Sequence, residues 1–241
     1  MTRAAILIDG GYFLKRLPTV RRDVDTRDPI AVARSIDQLV RRHLAQLNEI
    51  AVAANAYSLL YRCFFYDARP YDKKAHLPVS QRGIDYGKSP EARFRKALFD
   101  LMRRRPNTAV RLGEVTRDRA WILKDAAQRL LLNGSRTVSD LTDSDFEPGF
   151  RQKAVDMRIG IDIASLALKR QVDTIILVAG DADFVPAAKL ARREGLKVVL
   201  DPLWRDVSPD LFEHIDALRS GFSNPSRTEG ETADREEGGH P

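Results

Sequence analysis

The sequence predicts an α/β fold built on a mainly parallel sheet, and three observations carry that reading. Five apolar runs of strand length occur at 4–9, 58–67, 109–115, 172–180 and 196–202. The segments between most of them carry helical spacing or helix-start signals. Runs such as "AAILID" are apolar throughout, which suits buried strands. Strands alternating with helices over this length imply a parallel sheet with helices on both faces.

The first strand, 4–9, runs into Asp9-Gly10-Gly11, which reads as a tight turn. From about Pro29, "PIAVARSIDQLVRRHLAQL" sets Ile36, Leu39, Val40, His43, Leu44 and Leu47 at helical spacing. "SLLYRCFFYD" is the second strand, and the Pro- and Gly-punctuated "ARPYDKKAHLPVSQRGIDYGK" reads as a long loop. "SPEARFRKALFDLMRRR" opens like a helix, with Ser89 as N-cap, Pro90 at the first position and Glu91 in the first turn.

A third strand is expected over "AVRLGEV", then a helix over "AWILKDAAQRLLLNG" closed by Asn133-Gly134, then a loop over "SRTVSDLTDSDFEPGF". In "QKAVDMRIGIDIASLALKR", Ile159, Ile161 and Ile163 alternate as in a strand, but the length favours a largely buried helix. Strands "VDTIILVAG" and "LKVVLDP" flank the helix "DFVPAAKLARREG", which Gly195 stops. "SPDLFEHIDAL" is a last short helix.

The 241 residues, 43% hydrophobic and 31% charged, suffice for one sizeable core. One cysteine, Cys63, excludes an intramolecular disulfide framework and reads as a small core hydrophobe. No apolar run suits a signal peptide or a membrane span, so a soluble, cytoplasmic protein with no membrane partner is expected. Residues 221–241 carry five acids against two arginines, and this polar, Gly- and Glu-rich stretch is expected to be a disordered acidic tail. Of the total charge of +6, residues 1–220 therefore hold +9, enough to attract a polyanion.

The chemistry concentrates in aspartates. In a doubly wound sheet of order 3-2-1-4-5, ligands bind beyond the carboxyl ends of the strands, where strands 1 and 4 adjoin. Asp9 ends the first strand, and Asp181 and Asp183 follow the fourth. Asp156, at the start of the helix before it, approaches from the side. Such a group calls for a cation, and oxygen donors without His or Cys select Mg²⁺ or Mn²⁺. That ion activates water and stabilises a leaving oxygen.

"ILIDGGYF", "RQKAVDMRIGIDIASLA" and "ILVAGDADFVPAAKLARREGLKVVL" together resemble the NYN domain of the LabA-like type, in the PIN-like nuclease superfamily, over roughly residues 3–204. The resemblance implies a five-stranded, doubly wound PIN-like sheet of order 3-2-1-4-5. It also implies an NYN domain over residues 1–220 and a Mg²⁺- or Mn²⁺-dependent ribonuclease site. Position by position, the metal-site and catalytic residues would be Asp9, Asp156, Asp181 and Asp183, with Lys153 beside them toward phosphate. Asp162 is a recurrent family position but lies about 120° around the helix from Asp156. Where the family often has Asn after the first Asp-Gly, this chain has Gly11-Tyr12. Residues 116–149 look like an insertion, a place where a second copy or a protein partner could dock.

RNA is the expected partner. Tyr12 could stack a base, and Arg93, Arg95, Lys96 and Arg103–Arg105 could grip phosphates, though a helix's charge run is usually its solvated face. Asp183 alone could cap the helix from Phe184, whereas Asp181 has no comparable structural role. Asp67 reads as a loop-starting residue outside the metal set, and the acids from Asp140 to Glu147 lack EF-hand spacing. A non-catalytic RNA-binding regulator with the same fold is the alternative.

Overall fold

The computed structural model describes residues 3–47 and 56–226. In chain order the elements are β1 (Ala4–Asp9), α1 (Gly10–Val20), α2 (Pro29–Leu47), β2 (Leu60–Arg69), β3 (Lys74–His76), β4 (Gly83–Asp85), α3 (Pro90–Arg103) and β5 (Thr108–Leu123). There follow α4 (Asp125–Leu132), β6 (Phe146–Lys153), α5 (Val155–Leu168), β7 (Thr174–Val178), α6 (Val185–Arg193), β8 (Lys197–Asp201), α7 (Pro209–Glu213) and β9 (Ala217–Leu218).

Among the described residues, seven strands form one sheet in the order β6-β5-β2-β1-β7-β8-β9, parallel except for the antiparallel β5–β6 pair. The α/β class and the mainly parallel sheet stand, but five strands is too few and the full order differs. The run β5-β2-β1-β7-β8 is extended by β6 at one edge and β9 at the other.

Both faces are covered, as the uniformly apolar strands require. Ala5 and Leu7 of β1, with Ile175 and Leu177 of β7, join the core beneath α5 and α6. Ile6, Ile8, Ile176 and Val178 join the opposite core beneath α1, α2 and α3. Cys63 lies in that second core, where burial pushes its thiol up to about 12 and leaves it unreactive.

Several elements depart from expectation. Gly10-Gly11 is no tight turn: α1 starts there, and the Asp9 carboxylate accepts from the Tyr12 amide as N-cap, 3.0 Å. The expected long loop contains the β3–β4 pair. The third strand continues to Leu123, because β6 pairs with it across register shifts at Arg117, Arg119 and Trp121. The inserted helix is shortened to α4. The helix α5 forms, but it is amphipathic, burying Ile159 and Ile163 while Met157 and Ile161 stay exposed.

The expected tail begins too early. Phe222 is buried and the Gly221 amide donates to Asp201, because Asp201 needs acceptors filled inside the core; residues 227–241 lie outside the described residues. Among the described residues, no helix is long and apolar enough to cross a membrane.

Asp201 is wholly buried and bonds His43 Nε2 at 2.8 Å and the amides of Leu203 and Gly221 at 2.8 and 2.9 Å. It thereby ties β8 to α2 and to the chain after β9. Asp201→Ala strands all three partners and is expected to lower unfolding free energy by about 3–5 kcal/mol in urea titration. A loss below about 1 kcal/mol would mean that solvent replaces this network.

Candidate metal and nucleic-acid site

The carboxyl ends of β1 and β7 adjoin because Ile8 lies opposite Val178. Asp9 leaves β1 half-buried, its carboxylate held by the Tyr12 amide of α1. Burial raises its pKa to about 6, with the charges of Asp156 and Asp67 pushing the same way and the Tyr12 and Gly11 amides opposing. Asp156 lies in the first turn of α5, which the chain enters through Ala154 in the left-handed region, φ 64°. Desolvation raises the Asp156 pKa, and the charges of Asp181 and Asp183 add to it. Asp156 therefore stands between the other three, within electrostatic reach of Asp9 on one side and of Asp181 and Asp183 on the other.

Among the described residues, none of the four pairs with a basic side chain. Nor do any three His, Cys, Asp or Glu side chains close up into a metal-binding cluster there. The donors are the right kind for a hard cation and their repulsion is unrelieved, but as they stand they are not drawn into a coordination shell.

Asp183 does not cap the helix, whereas Asp181, for which no structural role was expected, has one. Asp181 caps the single turn Ala182–Phe184, accepting from the Asp183 amide at 3.0 Å. α6 has no side-chain cap, so Asp183 is left exposed without that duty.

The other expected residues divide. Arg93 and Lys96 are exposed on the first half of α3, whose start shares a cleft with the end of β2. Arg105 is paired with Asp37 at the opposite sheet edge, beside a cleft of about 270 Å³ remote from the aspartates. Lys153 pairs with Asp118 at 3.1 Å. Tyr12 is half-buried, its hydroxyl donating to the Pro202 carbonyl. A Cβ on Gly180 would fall 2.4 Å from the Tyr12 ring, so only glycine lets that ring lie there. Asp162 accepts from the Tyr66 hydroxyl at 2.8 Å and Arg111 at 3.1 Å, so it serves the α5–sheet contact.

One residue is placed differently from expectation and one escaped the sequence reading. Asp67 is fully buried, holds Arg95 and the Ala68 amide through Oδ1, and bears on Asp9 electrostatically. It lies within β2, paired opposite Leu112, and so does not start a loop as expected. Gln152 of β6 reaches the crevice too: a Cβ on Gly11 would lie 3.4 Å from Asp9 Oδ1 and 3.8 Å from Gln152 Oε1. No local motif marks it.

Residues 89–207 match the NYN domain family. NYN domains belong to the PIN-like nuclease superfamily, which points to a nuclease or RNA-related role. The matched span holds Asp156, Asp181 and Asp183, while Asp9 lies outside it and joins them through the sheet. An uncharacterized protein of Methanocaldococcus jannaschii is 28% identical over 88 residues, 36% of this chain and 34% of that protein, so this chain spans about a third of its length. A crystal structure of a Vibrio parahaemolyticus protein of unknown function aligns with TM-score 0.43 and 15% identity, over 92% of this chain and 95% of that one.

The raised pKa of Asp9 has a definite sign. Its folded pKa lies above its ordinary value of 3.8, so the folded state loses stability as pH rises from about 4 to about 6, and the penalty persists above. Asp9→Asn keeps a capping oxygen and sheds the charge. In EDTA it is expected to be more stable than the parent at pH 7.5 by about 1–3 kcal/mol, with the gain shrinking below pH 5. Thermal melts across pH check this; a constant difference would exclude Asp9 as the titrating group.

Proposed function

We propose that this chain is a cytoplasmic, metal-dependent ribonuclease of the LabA-like NYN type, hydrolysing phosphodiester bonds of RNA in the crevice of Asp9, Asp156, Asp181 and Asp183. The observation that carries the reading is four carboxylates without basic partners among the described residues, three following the carboxyl ends of the central strands β1 and β7 and the fourth, Asp156, at the start of α5 within electrostatic reach of the others. That is where such sheets bind ligands. An all-oxygen donor set suits Mg²⁺ or Mn²⁺, which these four aspartates would hold. When bound, the ion supplies an activated water and charge stabilisation at the leaving oxygen.

The chain's own residues would do the rest. The amides of Tyr12 and Asp183 fix the carboxylates of Asp9 and Asp181, so two of the acids are already oriented. Arg93 and Lys96 would hold backbone phosphates on the approach, and Lys153 would join them on leaving Asp118. The basic body draws the polyanion in. Tyr12 orients the crevice rather than stacking a base, since its ring and hydroxyl are engaged. Leu132 and Val138, exposed on the 116–149 insertion, would serve a second copy or a protein partner.

One observation favours a second reading, an RNA-binding regulator without catalysis. Asp9 and Asp181 already serve as caps, and the acids are not closed into a ligand set among the described residues.

Purified protein incubated with labelled single-stranded and hairpin RNA in Mn²⁺, Mg²⁺ or EDTA decides between them. Cleavage is expected only with metal, and Asp181→Asn, which retains a capping oxygen, is expected to abolish it without lowering the melting temperature. Intact RNA under every condition, with binding preserved in both proteins, would replace the nuclease by the regulator.

A further inference from the structure

Beside the crevice lies a cleft of about 500 Å³ that the hydrolysis as proposed does not use. This is within the size range of small-ligand sites. Tyr71, Tyr86 and Phe150 wall it, with Glu91, Arg95 and Gln152 around them. The Phe150 ring centroid lies 5.0 Å from those of both tyrosines, and Tyr86 stands edge-on to the other two rings. Phe150 keeps 38% of its surface exposed, which is unusual for a phenylalanine inside an aromatic cluster.

The polar groups are unsettled. Tyr86 is only 8% exposed, yet its hydroxyl has no hydrogen-bond partner. Behind Arg95, the fully buried Asp67 leaves Oδ2 equally unpartnered. Buried polar groups without partners destabilise a fold, and of the two only the Tyr86 hydroxyl lies on the cleft wall, where a ligand atom would relieve that cost. The cleft also connects to the acids. Gln152 shares the space above Gly11 with Asp9, and Arg95 grips Asp67, whose charge reaches Asp9. On its other side a polar cleft of about 430 Å³ shares Tyr71 and is lined by Arg69, Lys73 and Arg117 together with Asp72 and Glu114, Arg69 pairing with Glu114 at 3.9 Å.

We propose that this aromatic cleft receives one unpaired nucleobase of a single-stranded RNA whose adjoining phosphate lies at the aspartates. This deepens, and rests on, the RNA reading above. The π-face of any base can stack on Phe150 or Tyr71. The Tyr86 hydroxyl and the Gln152 amide meet the base edge, where single-stranded RNA is read. Arg69, Lys73 and Arg117 take the next phosphate along the strand. A flat group with a polar edge, tethered between two anionic links, matches the sequence of surfaces from acid crevice to aromatic wall to basic rim.

The test uses the full chain carrying Asp181→Asn, titrated by fluorescence anisotropy with a short single-stranded RNA, intact or with one abasic site moved along it. One abasic position is expected to weaken binding about ten-fold. Adding Phe150→Ala should erase the difference between intact and abasic strands. Tyr86→Phe should weaken the intact strand several-fold while raising the melting temperature, because an orphan hydroxyl is removed; a merely structural tyrosine would change only the melting temperature. Equal affinity for every abasic strand, or variants that leave the intact-to-abasic ratio unchanged, or no binding at all, would overturn the proposal. Base-dependent binding beside an unmutated chain that never cleaves would keep the cleft and remove the nuclease. Metal-dependent cleavage with no base dependence would do the reverse.

Discussion

The parallel register between β1 and β7 is the constraint on which the carboxyl edge of this molecule depends. Ala4 to Ile8 lie opposite Thr174 to Val178, so both strands leave the sheet at one level. Acids more than 170 residues apart in sequence then act on one neighbourhood, and nothing local in either segment could bring them there. The register is fixed by burial on both faces. Shifting either strand by one residue would exchange the side chains that enter the two cores and turn Asp9 to the other face. Tyr12 extends the lock sideways, with its ring against Gly180 and its hydroxyl on Pro202 after β8.

The same edge shows how this fold treats an acid it means to neutralise. Asp67 has Arg95, Asp162 has Arg111 and Tyr66, and Asp201 has His43 and two amides. Asp9, Asp156, Asp181 and Asp183 have no basic side-chain partner among the described residues. For Asp9 the capping amides and the start of α1 favour the charge, yet burial wins and the pKa stays near 6. Caps fix where a carboxylate points without cancelling what it carries. That combination, oriented but uncompensated, is poor for stability and useful for receiving a cation.

How far the sequence was legible follows from the range of each interaction. Strands buried on both faces announce themselves as apolar runs, so the central sheet and its helix-covered faces could be read directly. The start of α1 could not, since Gly-Gly after an aspartate suits a turn as well as a cap, and Pro18 interrupts the helical pattern. β6 was hidden by Pro148 and Gly149, and the far half of β5 by register shifts that break its alternation. The aspartates were found because strand ends are marked in the chain. The cap formed by Asp181 was missed, because it depends on a short turn preceding α6 that no sequence signal marks. Gln152, Tyr71 and Tyr86 come from separate segments that meet only in space.

The strand β6 explains why cleft and crevice belong together. Phe150 and Gln152 are two residues apart and therefore share a face of the strand. Lys153 ends it, Ala154 reverses direction in the left-handed region, and Asp156 follows in the first turn of α5. One ring of the aromatic wall, the polar reader and one of the four acids are thus carried on seven consecutive residues, 150–156, whose spacing is covalent. Where this stretch meets β5, a Cβ on Gly113 would fall 2.4 Å from the Lys153 carbonyl, so the close approach depends on a residue without a side chain. A slip of β6 by one residue would turn Phe150 and Gln152 from the cleft and pull the entry to α5 with them. Whatever occupies the cleft is therefore held at a set distance from Asp156. In a polymer whose bases and phosphates alternate at a set distance, that is the requirement for placing one particular bond at the acids.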